Sequence, residues 1–198
     1  MIVQSESFND HNMSKLVKGA VVPRPIAWVS TVSREGDHNL APFSFFTVAS
    51  MDPITLCISV GKAERDKDTL LNIQETNGFV INIVSESLAN QMHESSKAYD
   101  RSENEFAKAG TRSEASVRVR APKVAEAPVS FECELDQVIK IGTSHLILGR
   151  VVCYHIKDEL VMDGDKVDPH QLKAVGRMAG DYSYIKEFYR LPNKEFPQ

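Results

Sequence analysis

The 198-residue sequence predicts a mainly β protein of the α+β class, an antiparallel barrel, closed or nearly closed, with a few peripheral helices. Three observations carry that reading. At least six strand-like segments outweigh three short helical ones. The strands are not each followed by a helix, which disfavours a doubly wound parallel sheet. Long antiparallel strands expose edges, and curling into a barrel hides them. With 42% hydrophobic residues the chain has enough apolar material for one core, so residues 1–198 are expected to form a single domain. No internal repeat, low-complexity tract or linker divides it.

The elements follow in order. Pro25 to Ser33 is the first strand, rich in β-branched residues and only partly alternating. Arg34 to Asn39 is a turn cluster around Gly36. Leu40 to Met51 reads as a second strand, ended by Asp52-Pro53, and Ile54 to Val60 as a third, ended by Gly61. Three strands with short links predict an antiparallel meander. Asp68 to Asn77 spaces its apolar residues as a short helix, with Asp68 as N-cap and Gly78 as its stop. Phe79 to Val84 is a strand and Glu86 to Tyr99 a helix. Ser102-Glu103-Asn104-Glu105 has a capping-box pattern that opens a helix closed by Gly110. Arg112 to Lys123 reads as surface loop. Ser130 to Val138 alternates strictly and runs on to Ile141; Gly142-Thr143-Ser144 turns the chain, and His145 to Ile156 returns as a strand.

Composition excludes several partners. Twenty-three basic against 27 acidic residues give a net charge of −4 with no basic block, which argues against nucleic-acid binding. No apolar run approaches the roughly 20 residues that span a bilayer. The first residues lack the pattern of a secretory signal. Cys57, Cys133 and Cys153 form no CxxC pair, and each lies in a strand-like apolar segment, so each reads as a small buried hydrophobe in a reduced, cytoplasmic setting. The six histidines show no HxxxH or HExxH spacing, so no zinc site is expected. The GxGxxG, GxxxxGK[ST] and GxSxG signatures are absent.

A constellation remains. Asn39-Leu40-Ala41-Pro42-Phe43-Ser44-Phe45-Phe46-Thr47 mixes polar residues with three phenylalanines and an internal proline. Pro42 cannot donate to a ladder, so the strand must bulge or run along an edge, freeing backbone groups for a ligand. Phenylalanines in a strand are more often core than ligand contacts. Ser59, then Lys67-Asp68-Thr69 at a helix start, brings a hydroxyl, an ammonium and helix amides together, a set suited to a phosphate dianion. The bland alternative, a solvated lysine and an idle threonine, has about equal weight on those residues alone.

With Arg24-Pro25-Ile26-Ala27-Trp28, these segments resemble the flavin reductase-like family, and its flavoredoxin-like branch most closely, over about Gly19 to Tyr184. The resemblance implies a Greek-key split β-barrel, a homodimer, and one FMN per subunit near the interface. It implies that Asn39, Ala41, Pro42, Ser44, Phe45, Phe46 and Thr47 run beside the flavin, that Ser59, Lys67, Asp68 and Thr69 hold its phosphate, and that Trp28 lies near the ring. It places Arg177 in a late segment that can close over the site and His145 facing cofactor or nicotinamide as the catalytic residue. Many dedicated reductases read Gly-Asp-His at that turn, where this chain has Gly142-Thr143-Ser144-His145. The implied activity is hydride transfer from NADH or NADPH to flavin, with electrons passed to a further acceptor. The alternatives are a flavin-binding electron carrier without nicotinamide activity and a ligand-binding barrel without a redox role.

Overall fold

A computed structural model describes residues 1–61 and 66–189. Seven antiparallel strands form the main sheet: β1 (Ala27–Val32), β2 (His38–Phe43), β3 (Phe46–Met51), β4 (Ile54–Gly61), β5 (Gly78–Ile83), β6 (Val129–Ile141) and β7 (Ser144–Ile156). Their order is β2-β1-β5-β6-β7-β4-β3. β6 and β7 form a long hairpin, 13 residues to each arm. One end of it pairs with β5 and the other with β4, so it joins the two halves of the sheet.

The expected meander is corrected here. The run from Leu40 to Met51 is two strands, broken at Ser44-Phe45, and β2 and β3 lie at opposite ends of the sheet. The break has local causes. The Ser44 hydroxyl accepts a hydrogen bond from Arg24 Nε at 3.3 Å, and the Phe45 carbonyl accepts the Ser59 N–H at 2.8 Å. Consecutive strands on opposite edges require the sheet to curl. One core confirms the curl, since Val29 of β1, Phe43 of β2, Ile58 of β4, Ile81 of β5, Cys133 of β6 and Ile147 of β7 all pack in it. This is the mainly antiparallel architecture of a split barrel. Gly149 of β7 permits a tight approach: a Cβ there would collide with the Phe79 ring and lie 3.0 Å from the Cys133 Cβ.

A second core lies on the other face of β1 and β2. Trp28 and Leu40 pack there with Met92, Phe106 and Val124. β1 is therefore buried on both faces, which explains its weak alternation. Asn82 of β5 fastens this side: its amide donates to the Trp28 carbonyl (2.9 Å) and Ser30 Oγ (3.2 Å), while its oxygen accepts from Val124 N and Ser130 Oγ. Every polar atom of that buried side chain is satisfied.

The α-helices among the described residues are α1 (Met13–Ala20), α2 (Asp68–Thr76), α3 (Ala89–Glu94), α4 (Glu105–Ala109) and α5 (Pro169–Leu172). α2 is N-capped at Lys67 rather than Asp68, and ends on left-handed Asn77, one residue before Gly78. The helix expected over Glu86 to Tyr99 is a 3-10 turn followed by α3, which stops at Ser95. Ser95 and Ser96 donate back to the carbonyls of Met92 and His93, and such bonds compete with further helix. α4 is capped by Asn104, whose side chain accepts the Phe106 and Ala107 amides, not by Ser102, and Gly110 closes it in the left-handed conformation. Among the described residues no helix is long and apolar enough to cross a membrane.

Candidate functional site

β2 is an edge strand, as Pro42 requires, and a groove runs along it. Two neighbouring cavities make the groove, and they share Pro42 and Ser96. The first, about 200 Å³, is lined by Asn39, Ala41 and Pro42, by Lys67, Asp68 and Thr69 at the start of α2, by Ser95 to Tyr99, and by Glu105. The second, about 330 Å³, is lined by Ile26, Pro42, Ser44, His93, Arg177 and Tyr182, among others. A larger cavity of about 580 Å³ lies elsewhere, between Ser85–Ser87 and Lys173. Its lining includes no residue of the Asn39–Thr47 or Lys67–Thr69 segments, so the groove is the candidate site.

The first cavity has the donors for a phosphate. Among the described residues α2 starts without a side-chain cap, so its N-terminal amides keep their dipole for a ligand. Lys67 sits at that N-cap, its ammonium 5.5 Å from the centre of the Phe43 ring. Thr69 is buried, and its hydroxyl accepts the Asn39 amide at 3.1 Å, tying helix to strand. A second tie fixes the same face, because Asn72 donates to Thr31 Oγ1 at 3.0 Å and accepts from Arg101, which also pairs with Glu75 at 3.1 Å. Lys97 stands across the cavity, paired with Glu94 at 2.6 Å.

Glu105 is the unusual group. Its carboxylate accepts the Leu40 amide, yet burial pushes its pKa up to about 7, with Asp68 adding to the rise and the Leu40 bond and Lys67 opposing it. Near neutral pH its negative charge is therefore reduced, which lessens repulsion of an incoming anion.

The second cavity has aromatic and cationic walls. Arg177 lies 4.4 Å over the Tyr182 ring within a short hairpin of Val175–Arg177 and Tyr182–Tyr184. The Tyr182 hydroxyl is 3.5 Å from His93 Nδ1. Beneath it, buried Arg24 donates to Ser44 Oγ and to the carbonyls of Lys18 (2.7 Å), Val21 and Met178 (2.9 Å). One guanidinium thus joins the end of α1, the β2–β3 break and the Arg177 hairpin.

The structure brings Asn39, Ala41, Pro42, Lys67, Asp68 and Thr69 to one cavity, and Pro42, Ser44 and Arg177 to the other. Phe45, Phe46, Thr47 and Ser59 stand at the strand break beyond it. Phe45 is half exposed, Phe46 packs on the barrel core, Thr47 is exposed, and Ser59 bonds Phe45 through its backbone. Trp28 is wholly buried and lines neither cavity, but its indole donates to Ser95 Oγ at 2.8 Å and so supports the groove wall from behind. His145 lies apart, on β7 opposite Val60 and Lys140, and lines neither cavity. Ser96, Lys97, Tyr99 and Glu105 escape the sequence reading. The first three fall in the segment read as helix, and Glu105 reads as an ordinary first-turn carboxylate. The adjacent serines at 95 and 96 are the signal that could have placed the wall.

A curled antiparallel sheet, split at one edge, with a helix start beside that edge, defines a split barrel. The flavin reductase like domain model matches residues 19–169, and the chain belongs to that family. An uncharacterised protein of Aquifex aeolicus is 41% identical over 176 residues, covering 88% of this chain and 89% of that one. Nitrilotriacetate monooxygenase component B from Bacillus cereus superposes with a TM-score of 0.92 at 30% identity, covering 96% of this chain and 98% of that one. The 2-nitrobenzoate 2-nitroreductase NbaA of Pseudomonas fluorescens superposes at 0.89 with 29% identity, covering 100% and 99%. Family membership brings a flavin-related oxidoreductase chemistry and a flavin cofactor, which the donor set of the groove fits.

Proposed function

We propose that this protein is an FMN-binding oxidoreductase that accepts hydride from NADH or NADPH and passes electrons to a further acceptor. The observation that supports it best is the groove itself, where an uncapped helix start, Lys67 and hydroxyls stand at one end and an edge strand with aromatic and cationic walls at the other. Lys67 and the α2 amides hold the phosphate, and Asn39 keeps helix and strand in register for it. Edge strand β2 lies beside the ring, with Ala41 and Pro42 on the groove wall. Arg177 and Tyr182 bound the far end, with Arg24 fixing their hairpin. Bound there, FMN supplies the two-electron redox chemistry, while the protein supplies position and electrostatics. The similarity to a monooxygenase component and a nitroreductase supports an oxidoreductase role.

The same reading includes a homodimer. Val48 and Met51 on edge strand β3, with Ile54 of β4, are exposed, and an apolar unpaired edge is a surface that a second copy covers.

The test is the visible spectrum of protein reconstituted with FMN, followed by anaerobic addition of NADH or NADPH. Flavin that binds and bleaches promptly is the expected result. A preparation that stays colourless overturns flavin binding. Bound flavin that neither nicotinamide bleaches overturns the hydride step and leaves an electron carrier.

A further inference from the structure

Outside the groove, β6 and β7 bring a carboxylate, a thiol and an imidazole to one point. Cys153 and His155, two residues apart on β7, share a face of that strand. Glu132 of β6 is the cross-strand partner of Cys153. His155 Nε2 lies 2.6 Å from Glu132 Oε1 and 3.5 Å from Cys153 Sγ, and one ligand atom from each residue falls within 4.8 Å of the others. None of the three lines the groove.

We propose that Glu132, Cys153 and His155 form a binding site for a divalent zinc-type ion, with solvent in the fourth position. Four features carry this. The donors are one oxygen, one sulfur and one nitrogen, a set that suits zinc and disfavours magnesium or calcium. At ordinary zinc bond lengths two tetrahedral ligands, one sulfur and one nitrogen, stand about 3.5 Å apart. Cys153 and His155 already have that separation. The carboxylate is preset: Glu132 is fully buried, and it accepts the amides of Val117 (2.8 Å), Arg118 (2.6 Å) and Val119 (3.1 Å). Such outer hydrogen bonds orient a metal ligand before the metal arrives. The site has an entry, since the His155 side chain is 26% exposed.

Binding replaces protons by metal. Sγ gives up its thiol proton, Nε2 is freed of the proton facing Glu132 Oε1 so that the neutral ring carries its one N–H at Nδ1, and three bonds to the ion form without any change of oxidation state. The Nε2–Oε1 pair opens from 2.6 Å to about 3.3 Å, the spacing of tetrahedral nitrogen and oxygen ligands. The Arg118 and Val119 amides stay on the other carboxylate oxygen, Oε2.

The test titrates the full-length, chelator-treated protein with Co²⁺ and reads the difference spectrum against the same protein without metal. The expected result is one ion per chain, with a thiolate-to-cobalt charge-transfer band and the ligand-field bands of a four-coordinate ion, both abolished by stoichiometric Zn²⁺. Cys153→Ser is near-isosteric and removes the charge-transfer band; Cys57→Ser keeps it. His155→Gln weakens Zn²⁺ binding by more than about 100-fold, beyond the loss of an outer-shell partner. Circular dichroism establishes that each variant is folded. A wild type that shows no thiolate band, or a folded Cys153→Ser protein that retains it, overturns the proposal.

Discussion

Replacing Glu105 by glutamine should change how stability depends on pH. The carboxyl is raised from 4.5 to about 7 by burial, against the pull of the Leu40 amide. The folded state therefore binds more protons than the unfolded chain between those two values. Stability that is intact below about 4.5 is lost as pH rises, and the loss is complete above about 7. At about 1.4 kcal/mol per unit, a rise from 4.5 to about 7 is worth on the order of 3 kcal/mol. Glutamine keeps an oxygen for the Leu40 N–H and cannot ionise. Glu105→Gln should then match wild type within about 1 kcal/mol in acid and exceed it by on the order of 3 kcal/mol at about pH 8. The assay is urea unfolding of flavin-free protein at several pH values, which removes any ligand contribution. A stability difference that stays constant from about pH 5 to about pH 8 would refute the assignment of a buried, proton-binding Glu105.

Three further outcomes are expected. Lys67→Ala should weaken FMN binding by at least about tenfold while changing riboflavin binding little, because only FMN carries the phosphate; equilibrium fluorescence quenching measures both. His145→Ala should leave nicotinamide-driven flavin reduction unchanged, because His145 lines neither cavity of the groove; a slowed stopped-flow rate would return it to the site. Gly149→Ala should destabilise the protein by about 1–3 kcal/mol or more in thermal unfolding, since the new methyl meets the Phe79 ring and the Cys133 Cβ in the barrel core.

The strands were legible because alternation, turn glycines and β-branched runs report local geometry directly. The hairpin of β6 and β7 is an example, with Gly142 in the left-handed conformation at its turn. The strand order was not legible. Nothing local marks Ser44-Phe45 as a break, because its causes are Arg24, 20 residues upstream, and Ser59, 14 downstream. The groove divided the same way. Asn39, Pro42, Lys67 and Thr69 were readable, since their unusual chemistry sits in short contiguous segments. The Ser95–Tyr99 wall and Glu105 arrive from elsewhere in the chain. Likewise Cys153 reads as a buried hydrophobe until Glu132 is set beside it across the sheet, a pairing no histidine spacing rule detects.

The groove has unequal sides. Its floor, β1 with β2, is clasped between two packed layers, whereas residues 95–99 are held by the Trp28 indole, by Lys108 over the Tyr99 ring and by bonds back to α3 and its end at Glu94. That wall is therefore expected to open as a flap before the barrel does. Backbone amides of the flap should trade protons with heavy water long before those of β1 do, and loading the protein with cofactor should slow the first set and leave the second untouched.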